Sequence, residues 1–438
     1  AGIQKGRGLE ALVAACGGSP ALVNLLAKEP RYADWLFSQR ALDRKGEEGE
    51  YLRNLQEKIT EVSSFEDLCA ALRWFRHREV LRIGMRDLVG MAGLEETMES
   101  LSDLAAACLQ EAYEYCLRSL VLEYGLPRQI ESDGAEREGR FVIIGLGKLG
   151  GQELNFSSDI DLLYLYSSDR GETTGGISGR CLPLPQFYTR LADLITRAIG
   201  EVTEDGWVFR VDLRLRPEGT RGNLANSLRS AEIYYESWGQ TWERAAFLKA
   251  RPVAGSRELG RDFLEMMRPF VYRKYLDYTA VEEFREMKRG IDRQAGRQEA
   301  ENPWPGELKP RGKDVKLGRG GIREIEFFVQ TLQLIHGGKD SAVREGNTLK
   351  ALEKLREGSY IQTEECQILQ EAYIFLRQVE HKLQIVQARQ THRLPTDPQE
   401  IRELALRLGL RNSSDRAASD LFLEQLEGHC QRVQTLYG

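Results

Sequence analysis

The sequence predicts an α+β chain, with a sheet in its middle third and helices on either side. Three observations carry this. A short β-rich run, Phe141 to Ile144, ends in a glycine-rich turn, and a second apolar run opens at Asp161. Trp207 to Pro217, WVFRVDLRLRP, alternates apolar and polar residues as a strand does. Outside this region apolar residues recur every three to four positions, the spacing of a buried helix face. Leu101, Leu104, Ala105, Cys108, Ala112 and Tyr115 do so before the sheet; Ala372, Phe375, Val379, Leu383 and Val386 do so after it.

Taken in order, the first element of note is a helix at about Phe65 to Leu88 that carries Arg73, Arg76, Arg78, Arg82 and Arg86. A solvated face is the preferred account of these arginines; the alternative is that they line the active-site cleft or meet an acidic partner protein. A polar stretch, Glu131 to Gly139, leads into the first strand. Pro183 to Val202 forms a helix between strands, Ala231 to Ala250 a further helix, and the α/β unit closes near Ala254. Glu301 to Asp314, rich in Pro and Gly, reads as a loop. A helix at Ile322 to Ile335 then opens a bundle packed beside the sheet, a coiled-coil partner helix being the alternative. The expected domains are residues 1–130, 131–255 and 256–438.

Composition narrows the function. A chain of 438 residues, 29% charged and 41% hydrophobic, suits a soluble globular protein of two or three domains. With 61 basic against 67 acidic residues, no basic excess points to nucleic acid as the main partner. Seven scattered cysteines without a C-x-x-C pair fit a reducing cytoplasm better than a disulfide framework. Cys108 and Cys116 read as helix core positions, and the five dispersed histidines argue against zinc. No run of about 18 apolar residues and no signal peptide is visible, so no membrane association is expected.

The chemistry lies in FVIIGLGKLGGQELNFSSDIDLLYLY, residues 141–166. Residues two apart on a strand share a face, so Asp159 and Asp161 project together. Two carboxylates beside a phosphate-sized glycine loop suit Mg²⁺-dependent phosphoryl chemistry. Asp212, on the alternating stretch, completes a metal triad, and Arg214 and Arg216 on the same face offer positive charge to phosphate oxygens. Gly147, Lys148, Gly150 and Ser158 are the candidate phosphate and nucleotide cradle; a ligand-free tight turn and a solvated Lys148 are the plainer alternatives. Gly145, Gly147 and Gly150 also spell G-x-G-x-x-G, a dinucleotide turn. That account is disfavoured: the insert before the next strand is too short for a crossover helix, and the acidic residues are paired at that strand's start. Glu153 is expected to brace the turn. Lys249 and Arg251 either reach the site or face water. Lys316, Arg319 and Arg323 surround Gly318, Gly320 and Gly321 ahead of a helix, an arrangement that suits an anion, with Glu324 and Glu326 as a solvated face or arginine partners.

These residues resemble the nucleotidyltransferase superfamily, and more closely the glutamine synthetase adenylyltransferase family. Four ordered motifs carry the likeness across Leu72 to Gln390: GLGKLGGQELNFSSDIDLLYLY, VDLRLRPEGTRGNL, WERAAFLKARPVAG and KLGRGGIREIEFFVQTLQLIHGG. The resemblance implies a nucleotidyltransferase-type mixed sheet core with an N-terminal helical region and a C-terminal helical bundle. The family carries two such halves in tandem, whereas this chain has one S-D-x-D cluster, starts at Ala1 and has about half the usual length, as one excised half would. Asn155, Phe156, Ser157 and Ile160, with W-E-R-A-A-F-L-K-A-R, match the family's amino-terminal, adenylyl-removing half. The resemblance therefore implies phosphorolysis of adenylyl-tyrosine on glutamine synthetase, giving tyrosine and ADP. Asp159 and Asp161 would bridge two Mg²⁺ ions, and Asp212 would bind one of them. Adenylylated glutamine synthetase, phosphate and ADP, and a PII-type nitrogen regulatory protein in the full-length enzyme are the implied partners. The alternatives are the ATP-dependent adenylylating half, a regulatory half that only binds nucleotide or protein, an aminoglycoside-modifying type, and a uridylyl-transferring regulator. The last is expected to lack K-L-G-R-G-G-I-R-E-I-E-F.

Overall fold

The computed structural model describes residues 7–38, 41–46, 49–60, 62–274, 278–301, 312–387 and 389–437. The loop expected at Glu301 to Asp314 lies mostly outside them, at 302–311.

Among the described residues eight strands form two sheets. β1 (Pro127–Ile130), β2 (Glu136–Glu138) and β5 (Gly171–Thr173) make a small antiparallel sheet in the order β2-β1-β5. The polar stretch before Phe141 thus contains part of this outer sheet rather than a plain lead-in. The main sheet holds β3 (Phe141–Leu146), β4 (Ile160–Tyr166), β6 (Val211–Asp212), β7 (Ala225–Ser227) and β8 (Arg251–Gly255). β3 pairs antiparallel with β4 and β8, while β6 and β7 both run parallel to β4. The antiparallel β3–β4 pair excludes a dinucleotide-binding βαβ unit, which needs parallel strands joined by a crossover.

The two central strands, β3 and β4, are buried on both faces and are apolar along nearly their whole length. Phe141, Ile143, Ile160, Leu162 and Tyr164 pack with the helices Phe65–Leu88, Leu94–Tyr124 and Leu184–Gly200. The alternate residues Val142, Ile144, Leu163 and Leu165 pack with Leu228–Trp238 and Arg257–Val271. A third apolar cluster joins the helices Ile322–His336, Thr348–Glu357, Thr363–Gln387, Pro398–Arg407 and Ala418–Tyr437. The C-terminal helices form the expected bundle, and Cys108 and Cys116 are core residues. All seven cysteines are free, and among the described residues no single helix is long and apolar enough to cross a membrane.

Three expectations change. The helix expected at Ala231 to Ala250 is two, Leu228–Trp238 and Thr241–Phe247, because Gly239 ends the first and a Gln240–Glu243 capping box starts the second. The strand expected over Trp207 to Pro217 pairs only at Val211 and Asp212, after which the chain turns out of the sheet. Four of the five arginines of Phe65–Leu88 do not form a solvated face. Arg73, Arg78, Arg82 and Arg86 are buried. Arg73 donates to the carbonyls of Gly206, Cys69 and Ala198, and Arg78 and Arg82 share Glu79 at 2.7 and 2.8 Å. Arg86 bridges Leu42 O and Glu96 at 2.7 and 2.8 Å, and Arg76 lies over the Phe209 ring. Guanidinium groups packed between elements need such carbonyl and carboxylate partners.

Candidate active site

The three carboxylates come together where β4 and β6 begin. Asp161 stands opposite Asp212 in the parallel register, and Asp159 lies two residues earlier. On its other side Asp161 stands opposite Leu146, the last residue before the glycine turn. That turn is a short helix, Gly147–Gly150. Gly147 has φ +52°, and a Cβ there would come within 2.6 Å of Asp161 Oδ2. A Cβ on Gly150 would come within 1.8 Å of Lys249 O. Both glycines are therefore required by close approach, one of them to a candidate site residue.

Charge is concentrated here. Burial, then the Asp212 and Asp159 charges, push the Asp161 carboxyl up to about 6, with Lys316 and Arg214 drawing it partly back. Arg214 holds Asp212 below the usual carboxylate range through a bidentate pair, Nε lying 2.9 Å from Oδ2. Arg210 Nε donates to Asp159 Oδ1 at 2.5 Å, and Arg210 also bonds Ser157 O. Gln390 Nε2 donates to Asp159 Oδ2 at 3.4 Å. Sequence reasoning missed Arg210, although the alternation that placed Asp212 also places Arg210 on its face. Gln390 carried no local signal.

The remaining expected residues fall into two groups. Ser158 Oγ accepts from Asn155 N at 3.3 Å, so it braces the loop ahead of Asp159. Lys316 acts on Asp161 through its charge. The others are engaged elsewhere. Lys148 is neither solvated nor pointed at open space: its ammonium lies 3.0 Å from both oxygens of buried Glu380. Arg216 folds back onto Leu213 O at 2.9 Å and onto Thr220 O and Gly222 O at 3.3 Å. Lys249 does not face water; it is buried against Glu153 at 2.5 Å and Glu326 at 3.3 Å. Arg251 bonds Gly150 O and Leu149 O at 3.2 and 3.1 Å. Glu153 braces the turn as expected, and it does so by joining Lys249 to Thr348 N. The glycine-rich start of Ile322–His336 is taken by the protein itself: Glu324 accepts from Gly320 N at 2.8 Å. Glu326 pairs with Lys249 instead of an arginine, while Arg319 and Arg323 are exposed.

Three carboxylates form a hard oxygen donor set of the kind Mg²⁺ takes, and a bound cation would offset the burial and the repulsion that raise Asp161. The donor chemistry fits. The arrangement is not a finished cage: among the described residues no three acidic, His or Cys side chains stand ready to hold a metal ion. Arg210 and Arg214 are paired with two of the three carboxylates, Asp159 and Asp212.

The mixed sheet, the glycine turn and the carboxylates on adjacent strands define a nucleotidyltransferase-type α+β protein. The family model described as glutamate-ammonia ligase adenylyltransferase matches residues 9–266, more than half of the chain, and the chain belongs to that family. Residues 285–438 match the model described as GlnD PII-uridylyltransferase. That match spans the stretch of the chain that holds KLGRGGIREIEF. The chain is 41% identical over 425 residues to a bifunctional glutamine synthetase adenylyltransferase/adenylyl-removing enzyme of Thioalkalivibrio sulfidiphilus, covering 97% of the chain and 41% of the relative. Proteins of that name from Nitrosococcus oceani and Pseudomonas aeruginosa are 40% and 42% identical over 90% and 80% of the chain, and 38% and 34% of their own lengths. The chain thus spans about two fifths of the length of the curated relatives it matches.

Proposed function

We propose that this chain removes AMP from an adenylylated tyrosine of glutamine synthetase by Mg²⁺-dependent phosphorolysis, and so regulates nitrogen assimilation. The convergence of Asp159, Asp161 and Asp212 beside the glycine turn carries the reaction class. The N-F-S-S-D-I-D form of Asn155 to Asp161 supports the direction of transfer, and the names of the relatives support the substrate.

In this reaction a phosphate oxygen attacks the α-phosphorus in line, the bond from phosphorus to the tyrosine oxygen breaks, and ADP and tyrosine result. Negative charge grows on the attacking and leaving oxygens, so positioning and electrostatics supply most of the catalysis. Asp159, Asp161 and Asp212 would hold Mg²⁺, which neutralises that charge when bound. Gly147 and Gly150 keep the turn close to Asp161, and Ser158 sets the loop that delivers Asp159. Arg214, exposed and paired with Asp212, is placed to exchange that carboxylate for a phosphate oxygen. Lys148 and Arg216 would have to leave their present partners to do the same. A PII-type regulator as partner of the longer protein is part of this proposal, supported by the match of residues 285–438. A cytoplasmic setting belongs to it too, in keeping with the free thiols.

The test incubates the chain with AMP-modified glutamine synthetase, Mg²⁺ and phosphate and assays ADP. Phosphate-dependent ADP, reduced at least about a hundredfold in Asp159→Asn, is the expected result. Formation of adenylyl-tyrosine from ATP and unmodified synthetase, without ADP release in the first assay, would assign the chain to the opposite direction. Inactivity in both assays would leave a nucleotide-binding regulatory half.

A further inference from the structure

A cavity of about 700 Å³, with none of Asp159, Asp161 and Asp212 in its lining, is walled by the end of Phe65–Leu88, the start of Leu94–Tyr124, Thr363–Gln387 and Pro398–Arg407. We propose that it binds a small organic anion, a carboxylate or phosphate on a compact apolar body, and that its occupancy is transmitted to the loop carrying Asp159.

The volume falls within the usual range for small-molecule sites. The lining carries three cations, Lys382, Arg407 and Arg411, against two carboxylates, Asp87 and Glu403. Lys382 pairs with Asp87 at 2.5 Å and Arg407 with Glu403 at 3.1 Å. Arg411 meets two backbone carbonyls, at 3.1 and 3.0 Å. The Arg407 Nε is buried without a hydrogen-bond partner. His381, 1% exposed, is also part of the cavity wall, and neither of its ring nitrogens has a hydrogen-bond partner. Buried polar groups are normally hydrogen-bonded, and these groups at the cavity wall have no such partner within the protein. Leu88, Val89 and Leu94 supply the apolar wall.

The same helix turn holds the catalytic loop. The His381 ring packs edge-on against Phe156, with centroids 5.5 Å apart and planes at 78°. Glu380 binds Lys148 of the glycine turn, and Gln384 Oε1 accepts from Ser157 N at 3.1 Å. A ligand that reorients His381 therefore presses directly on the segment that sets Asp159.

The experiment titrates the intact chain with benzoate, phenyl phosphate and inorganic phosphate while following the His381 ring by ¹⁵N NMR and amide hydrogen exchange over residues 155–161. A saturable His381 shift with benzoate or phenyl phosphate, at least tenfold weaker in Arg407→Met, together with slowed exchange at 155–161 that is lost in His381→Phe, is expected. Which of the two probes binds distinguishes a carboxylate from a phosphate ligand. No saturable shift with either overturns the site, and undiminished binding in Arg407→Met overturns anion recognition. Equal affinity for inorganic phosphate overturns the apolar body, and binding without any change at 155–161 overturns the coupling. The transmission rests on the function proposed above, but neither readout uses catalysis, so binding stands or falls separately from it.

Discussion

Asp161 is opposed by its own neighbours: burial and the Asp212 and Asp159 charges push its carboxyl up to about 6 from an ordinary 3.8. Between those values the folded chain keeps a proton that the unfolded chain has released, so stability falls as pH rises through that window. Removing the charge should reverse this. Asp161→Asn is expected to stabilise the metal-free chain at pH 7 by on the order of 1–3 kcal/mol while phosphorolysis falls at least about a hundredfold. Urea unfolding and the ADP assay check the two halves, and a variant no more stable than the parent would refute the repulsion. Gly147→Ala is the complementary case. It places a side chain at φ +52°, with Cβ 2.6 Å from Asp161 Oδ2. Backbone strain of about 1–2 kcal/mol is expected, with a loss of activity larger than that strain explains. A variant with a lowered Tm and full activity would show that the glycine serves the turn alone. At this scale the carboxylates were legible because i, i+2 spacing is local. The attachment of Arg210 to Asp159 spans 51 positions and was not.

The helix Thr363–Gln387 is the element that ties the bundle to the site. Its outer stripe joins the bundle core, as the spacing of Ala372, Phe375 and Val379 foretold. Arg377, Glu380, His381 and Gln384 turn the other way and grip Asn155, Lys148, Phe156 and Ser157. Glu380 is fully buried and serves Lys148 at 3.0 Å and Arg377 at 3.2 Å. Glu380→Ala is expected to cost about 3–5 kcal/mol, because it leaves buried cations unpaired. Lys148→Met combined with Glu380→Leu should cost less than the sum of the single changes, and a double-mutant cycle by denaturant unfolding measures this. Strict additivity would mean that the pair is not coupled. The helix Phe65–Leu88 shows the limit of periodicity in the other direction. Its arginines read as a wet face because nothing in a one-dimensional pattern reveals the carbonyls of Gly206 and Ala198 that Arg73 meets.

Over the whole molecule, buried ion pairs join the sheet to the C-terminal helices, and this sets the acid response. Burial would raise Glu326, but Lys249, then Lys316, Lys148 and Arg377, outweigh it and hold the carboxyl at about 2. Glu380 is likewise held well below 4.5, burial being outweighed by Lys148, His392 and Arg377. Carboxyls lowered by folding contribute stability that is complete above their ordinary range and is lost as protons bind. Stability should therefore decline as pH falls from about 4.5 toward 2, with Glu326→Gln less stable at pH 7 and less sensitive to acid. Equal acid slopes for the variant and the parent, measured by urea unfolding at stepped pH, would contradict this. The sequence by itself determined the helical flanks, the glycine turn, the paired carboxylates and the family, since each rests on spacing within a few residues or on ordered motifs. Only the tertiary structure decided that Lys148 pairs with Glu380, that the arginine-rich helix is interior, that β6 stops after two residues, and that a cavity opens beside His381. Those outcomes depend on groups far apart in the chain, 232 positions in the case of Lys148 and Glu380, and local pattern cannot encode which distant partner a buried charge will find.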